Sequence, residues 1–218
     1  MIIGINGYAG SGKDTIGKLI QIASCLNLPE VCSIDDLLED YCQHQWWLEE
    51  QSGWEIKKWA GKLKEIASIL TGIPQEKFEN QEFKKTSLGP EWGMTVRDFL
   101  QKLGTDGLRD GLHTNTWVNA LMADYKPQTV GLSSLGEDIQ EEPNWIITDT
   151  RFPNEAKAIK EAGGIVIRVD RPGYKPINSH PSETGLDNWD FDYKIMNGSD
   201  ITALLFGVGS ILRKEKLV

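Results

Sequence analysis

The sequence predicts an α/β fold in which helices cover both faces of a parallel sheet and a helical segment is inserted between its strands. Three observations carry this. The chain opens on a short β-rich run, a glycine-rich turn and an amphipathic helix. Strand and helix patterns alternate again from residue 145 onward. Between them, roughly 33–125, only helical patterns and loops occur, as expected of a substrate-binding cap over the C-terminal edge of the strands.

In order, Ile2, Ile3 and Ile5 form a strand that ends at Asn6-Gly7. From Thr15, the residues Ile16, Leu19, Ile20, Ala23 and Leu26 recur at helical spacing. Residues 33–52 read as an acidic helix with Ser33 as its cap. Leu63, Ile66, Ala67 and Leu70 mark a helix stopped by Gly72, with Pro74 beyond. Gln75 to Trp92 reads as short helices and loops, and Thr95 caps a helix bearing Val96, Phe99, Leu100 and Leu103. Another helix spans Asn115 to Tyr125, and residues 126–144 read as a surface loop. Trp145 to Asp149, Ile165 to Val169 and Tyr193 to Met196 are strands. Pro153 to Ala162 is the helix between the first two, and Ser199 or Asp200 caps a terminal helix. The core is then about 1–30 and 145–218, within a single domain of 218 residues.

Composition narrows the function. Lys and Arg number 23 against 32 Asp and Glu, a net charge of −9, which repels a nucleic-acid polymer or an anionic membrane. The acidity is segregated. Eight carboxylates and no base lie between Lys18 and Lys57, and five carboxylates lie between Lys126 and Arg151; elsewhere 19 acids face 23 bases. A local positive pocket for a small anion is therefore compatible with the acidic total. Cys25, Cys32 and Cys42 form no C-x-x-C pair, and His44, His113 and His180 lie far apart. Neither set has zinc or disulfide spacing. No targeting or membrane-spanning segment is recognisable, so a cytoplasmic protein is expected.

Gly7-Tyr8-Ala9-Gly10-Ser11-Gly12-Lys13 fits G-x-x-x-x-G-K between a strand and a helix. Backbone N–H groups of such a loop form a nest for phosphate oxygens, and Lys13 reaches the β- and γ-phosphates. The next residue, ordinarily Ser or Thr for Mg²⁺, is Asp14, followed by Thr15. Asp14 holding the ion and Thr15 contacting a phosphate is one arrangement; the metal geometry stays open. A guanine-reading N-K-x-D is absent, which leaves a small-molecule kinase as the expected class.

Six arginines occur among the basic residues, and five lie in suggestive contexts: Arg97, Arg109, Arg151, Arg168 and Arg171. Their planar fork suits bidentate phosphate binding. Arg97, Gln101, Thr105 and Arg109 recur every four residues on one helix face, either a substrate face or a solvated one. Asp149, at a strand end, either holds Mg²⁺ or caps the next helix or pairs with Arg151. In Ser179-His180-Pro181-Ser182-Glu183, Ser182 is a cap candidate.

These segments together resemble the phage-type deoxynucleoside monophosphate kinases, a branch of the P-loop nucleotide kinases. GYAGSGKDT at 7–15, WAGKLKEIASILTG at 59–72, TVRDFLQKLGTDGLRD at 95–110, TDTRFPNEAKAIKEAGG at 148–164, HPSETGLD at 180–187 and DYKIMNG at 192–198 carry the likeness. It spans nearly the whole chain outside 126–144 and the acidic 28–56 region. Lys-Asp-Thr after the glycines is usual in that family. The resemblance implies transfer of the γ-phosphoryl group of MgATP to a deoxynucleoside monophosphate. Lys13 and the loop from Gly7 to Thr15 would hold ATP, and Asp14, Thr15 and Asp149 would lie near Mg²⁺. It makes Arg97, Arg109 and Arg151 candidates for the acceptor phosphate, Glu155 for substrate contact, and Arg171 a lid arginine. Gln101, Thr105 and Trp117 would read the base, with Trp117 alternatively a core residue. Other P-loop kinases of the dephospho-coenzyme A or phosphomevalonate type, and a non-catalytic nucleotide-binding module, remain alternatives. Monomer and homodimer are both open.

Overall fold

The computed structural model describes residues 1–25, 41–176 and 181–218, with the side chains of 41–44 and 181–182 outside the description. Two compact units result, one formed by Met1–Lys57 with Lys126–Val218 and one by Lys58–Tyr125.

The first unit is built on a five-stranded, wholly parallel sheet. Its strands are β1 (Ile2–Asn6), β2 (Trp54–Lys57), β5 (Asn144–Ile147), β6 (Ile165–Asp170) and β7 (Tyr193–Met196). They lie in the order β2-β5-β1-β6-β7. β1 is central, which is why every residue of its IIGIN run is buried. Ile3 pairs with Ile146 and Ile165, and Ile5 with Ile167. This row packs into one cluster with Ile16, Leu19, Ile20 and Ala23 of α1 (Lys13–Cys25). Leu204, Leu205, Val208 and Leu212 of the terminal helix, Ile201–Lys214, complete the cluster. Each such Ile, Leu or Val side chain contributes about 1.5–3 kcal/mol on burial. The opposite face, bearing Gly4, takes the helix Pro153–Glu161: an added Cβ at Gly4 would come within 2.4 Å of Ile159 Cδ1. Both faces are thus covered.

Several expectations hold to within a residue or two: the strands ending near Asn6, Asp149 and Val169, the strand Tyr193–Met196, and the helix from Pro153. Asp200 caps the terminal helix, its carboxylate accepting from Ala203 N at 2.8 Å. Two differ. β2 was not anticipated; it is a four-residue edge strand with only Trp54 buried, so it offers no alternation to read. The expected loop at 126–144 contains an antiparallel hairpin of β3 (Gln128–Leu132) and β4 (Asp138–Glu141). Every residue of both strands is exposed, so no buried face marks its sequence as β. Residues 41–57, read with the helical middle, belong to the sheet unit through α2 (Tyr41–Ser52), which packs on α1, and through β2. Ser33 and Cys32 lie outside the described residues.

The second unit is helical. α3 (Trp59–Thr71) ends at Gly72, which is left-handed at φ 70°. Short 3-10 turns at Gln75–Glu79 and Phe83–Lys85 follow, then α4 (Val96–Gln101). Thr95 and Asp98 cap α4 reciprocally, each side chain accepting from the other's backbone N–H. Ala67, Phe78, Val96, Phe99 and Leu100 form this unit's own core, with Trp92 set edge-on to Phe99 at 4.9 Å. From Lys102 to Asp110 the chain continues as a π-helix, and α5 spans Thr116–Met122.

Candidate active site

Because the sheet is parallel, the C-terminal ends of its strands fall on one edge, and the polar residues that follow the apolar runs collect there. β1 delivers Asn6 and the glycine loop, β5 delivers Thr148 to Arg151, β6 delivers Asp170 and Arg171, and β7 delivers Asn197.

The loop ends directly on the first turn of α1, whose unsatisfied amide N–H groups are suited to a phosphate. Gly12 holds φ 99°, and a Cβ there would meet Asn197 Nδ2 at 2.4 Å, so glycine is required on both counts. Asn197 Nδ2 donates to Ser11 O at 2.8 Å and its backbone N–H donates to Asp170 O at 2.7 Å, tying the loop to the end of β6. Ser11 Oγ is buried without a hydrogen-bond partner among the described residues, a polar atom suited to an incoming phosphate oxygen.

Lys13 Nζ donates to Gly7 O at 2.6 Å and to Tyr8 O at 2.8 Å, folded over its own loop. Its pKa is pushed down to about 8, chiefly by burial and next by the nearby charge of Arg151; Asp14, Glu183 and Asp149 oppose the shift. Those five charged groups are therefore one cluster. Thr148 Oγ1 donates to Asp14 Oδ1 at 2.7 Å, which joins the end of β5 to the start of α1. Arg151 Nη1 meets Glu183 Oε1 at 3.3 Å. Arg171 Nη1 donates to Gly10 O at 3.2 Å, and its guanidinium lies 4.6 Å from the Tyr174 ring centre. His180 and the Ser182 side chain lie outside the described residues.

Glu155, expected at the substrate, is 2% exposed. Its Oε2 accepts from the backbone N–H of Arg151 at 2.7 Å and of Phe152 at 3.1 Å, so it shapes the turn that presents Arg151. Glu183, Thr148, Asn197 and Asn6 were not assigned from sequence. For Asn6, Thr148 and Asn197 the one legible signal is position, a polar residue immediately after, or closing, an apolar strand; Glu183, in the short helix Pro181–Thr184, has none.

In the helical unit, the π-helix changes how the four-residue spacing reads. A four-residue step overshoots a full α-helical turn by about 40°, but at about 4.4 residues per π-turn it falls short by about 33°. Gln101 thus departs from the line of Arg97 within α4, and Thr105 and Arg109 drift back toward that line instead of further away from it. Arg97 Nη2 donates to Gln81 Oε1 at 3.2 Å. Trp117 is 5% exposed and its indole N–H donates to Gly104 O at 2.9 Å, so it belongs to the unit's interior. Gly104 is pressed against Leu63, where a Cβ would come within 2.9 Å.

Among the described residues no group of three or more His, Cys, Asp or Glu forms a metal cage, and no helix is long and apolar enough to cross a membrane.

Known proteins resemble this chain over most of its length. A family profile described as deoxynucleotide monophosphate kinase matches residues 48–207. A provisionally named deoxynucleotide monophosphate kinase of Acanthamoeba polyphaga mimivirus is 32% identical over 212 residues, covering 92% of this chain and 90% of the relative. The deoxynucleotide monophosphate kinase of Enterobacteria phage T4 is 31% identical over 119 residues, 55% of this chain and 46% of its own length. The deoxynucleoside-5′-monophosphate kinase of Escherichia phage T5 is 25% identical, with 92% and 90% covered. With a glycine loop on a parallel sheet and a match of this extent, the chain belongs to the deoxynucleotide monophosphate kinase family.

Proposed function

We propose that this chain transfers the γ-phosphoryl group of ATP to the 5′-phosphate of a deoxynucleoside monophosphate, giving the diphosphate and ADP. The observation that carries the reading is the cluster of Lys13, Arg151, Asp14, Asp149 and Glu183 at the strand ends beside the glycine loop. Arg151 is held there by the Glu183 carboxylate and Lys13 by the carbonyls of Gly7 and Tyr8, partners that an incoming polyphosphate can replace.

The acceptor needs no general base, because its second pKa is about 6 and the attacking oxygen is already anionic at neutral pH. The barrier lies in bringing two polyanions together in line, so catalysis is positioning and charge neutralisation. Lys13 leaves the carbonyls of Gly7 and Tyr8 for the β- and γ-phosphates, while the amides from Gly7 to Thr15 hold the chain of phosphates. Arg151, braced by Glu155, grips the acceptor or transferring phosphate, and Arg171 closes on the γ-phosphate from the tip of the loop. Arg97 and Arg109 take the acceptor phosphate, and Gln101 and Thr105 read its base.

Mg²⁺ fits these residues: it binds through one or two protein oxygens plus phosphates and water, not through a protein cage. Asp14, oriented by Thr148, with Thr15 and Asp149 would hold it. Bound there it supplies neutralising charge to the phosphates.

A coupled ADP-release assay across the four deoxynucleoside monophosphates, the ribonucleoside monophosphates, dephospho-coenzyme A and phosphomevalonate tests it. Acceptor-dependent turnover confined to the nucleotides supports the reading. Turnover with another phosphorylated acceptor, or none with any acceptor, overturns it.

A further inference from the structure

Two glutamates hold Arg151, and they hold it differently. At the backbone end, the buried Glu155 carboxylate accepts from the Arg151 and Phe152 N–H groups, which fixes the Cα of Arg151. At the other end the guanidinium makes a single bond, Nη1 donating to Glu183 Oε1 at 3.3 Å. Among the described residues it has no second ion-pair partner. The side chain is therefore anchored at its root and lightly tethered at its tip.

Arginine and carboxylate frequently close through two parallel bonds, and this pair does not. The Glu183 side chain is 11% exposed, and its second oxygen, Oε2, is buried with no hydrogen-bond partner among the described residues. A buried acceptor without a donor is costly, so the pair is only half made. It offsets the charge of Arg151 without locking the guanidinium in place. The same carboxylate faces Lys13, where its charge opposes that of Arg151. Glu183 thus serves both cations of the cluster and is fully satisfied by neither.

We propose that Glu183 is a positioning residue that keeps Arg151 from the γ-phosphate of bound ATP until the acceptor's phosphate displaces it, so that water is not phosphorylated in the acceptor's place. The inference rests on the proposed reaction and accounts for its dependence on an acceptor. In the side reaction a water oxygen bonds to the γ-phosphorus and the bond to the bridging oxygen breaks. ADP and inorganic phosphate leave, and the water's proton passes to solvent. In transfer an oxygen of the 5′-phosphate takes the place of water. An arginine on the transferring group accelerates phosphoryl transfer by about 10³–10⁵, so its occupation by a carboxylate withholds most of that gain. A phosphate monoester carries about −1.5 to −2 charge near neutral pH against one for the carboxylate, and therefore wins the guanidinium. The exchange needs only rotation of the Arg151 side chain about a Cα that Glu155 keeps in place.

The test measures phosphate release by the full chain at saturating MgATP with no acceptor, beside transfer to each deoxynucleoside monophosphate. Glu183→Gln keeps the size of the side chain and removes its charge. It should raise acceptor-independent hydrolysis about tenfold or more, the loss of one charge-assisted contact to Arg151. It should also lower KM for the monophosphate more than it changes kcat, because nothing charged then has to be displaced. Glu183→Asp restores the charge and should return hydrolysis toward the wild-type rate. In an Arg151→Ala background the rise should vanish. A purely structural Glu183 predicts lost stability and no gain in hydrolysis. Nitrogen NMR of the wild-type guanidinium, identified by its loss in Arg151→Ala, needs no Glu183 variant. A non-hydrolysable ATP analogue alone should leave the Arg151 signal in place, and adding the monophosphate should move it. Hydrolysis that is unchanged or slower in folded Glu183→Gln, a rise that persists without Arg151, or a signal moved by the analogue alone overturns the assignment. A wild type that releases phosphate from ATP but transfers it to no monophosphate overturns the proposed reaction, and the acceptor-free comparison still decides whether Glu183 restrains Arg151.

Discussion

The guanidinium of Arg168 lies 4.3 Å from the ring centre of Tyr8, so a residue in the middle of a buried strand packs against the phosphate-binding loop. The same group donates to Asn6 Oδ1 at 2.6 Å, to Asp170 Oδ1 at 2.8 Å and to Asp187 Oδ1 at 3.4 Å. Tyr8 Oη also donates to Asp187, at 2.9 Å, and Asn6 Nδ2 donates to Thr150 O at 2.8 Å. Arg168 therefore links the loop, the end of β1 and the segment after β5. It is a positioning residue, and its desolvated charge is offset by those carboxylates.

Arg168→Met should destabilise the protein by about 2–4 kcal/mol, because Asp170 and Asp187 lose a buried partner. Arg168→Lys should recover part of that stability but not the three-way fork. Denaturant unfolding read beside ATP titration checks this. Nucleotide affinity that is unaltered in the folded Lys variant would show that the network does not set the loop.

Lys13→Ala should abolish phosphoryl transfer and leave the circular dichroism spectrum unchanged. Normal turnover in that folded variant would remove Lys13 from the mechanism.

The lowered pKa of Lys13 has a signed consequence. Its folded value is about 8 against an unfolded 10.5, so the unfolded chain binds more protons between those values and stability rises with pH across that window. Below pH 8 the buried ammonium is a net cost. Lys13→Met should therefore stabilise the ligand-free protein at pH 7 by about 1–3 kcal/mol, with the gain shrinking toward pH 10. ATP affinity should move the other way, falling as pH rises through 8 and the ammonium is lost. Unfolding curves and ATP titrations at pH 7, 8 and 9.5 measure both.

Arg151→Lys should lower the rate by about two orders of magnitude if the guanidinium grips phosphate through two bonds. Glu155→Gln should lower it too, through loss of the charge that accepts from the Arg151 and Phe152 amides, with about 1–2 kcal/mol lost from the fold. Steady-state rates together with thermal unfolding distinguish the contact from its brace.

Trp117→Phe keeps the ring but deletes the N–H that reaches Gly104 O, and should cost about 1–2 kcal/mol. ATP affinity should not change. A selective loss of acceptor binding would return Trp117 to the base-reading role first considered for it.

How much was legible follows from range. The glycine loop, the strand before it, the helix after it and the caps at Thr95 and Asp200 are local: a few neighbouring residues satisfy one another's hydrogen bonds, so sequence alone determines them. The segregation of charge was equally readable. What the tertiary structure decided is which distant residues meet. Parallel pairing alone places Asn197 against Gly12 and Thr148 against Asp14, because strand ends far apart in sequence converge on one edge of the sheet. Burial assigned Trp117 to the interior and Glu155 to the Arg151 turn, since a buried polar atom must find a partner and the nearest one available was backbone. The edge strand β2 and the exposed hairpin escaped notice for the converse reason: with little or no face buried, nothing in their side chains records the pairing of their backbones.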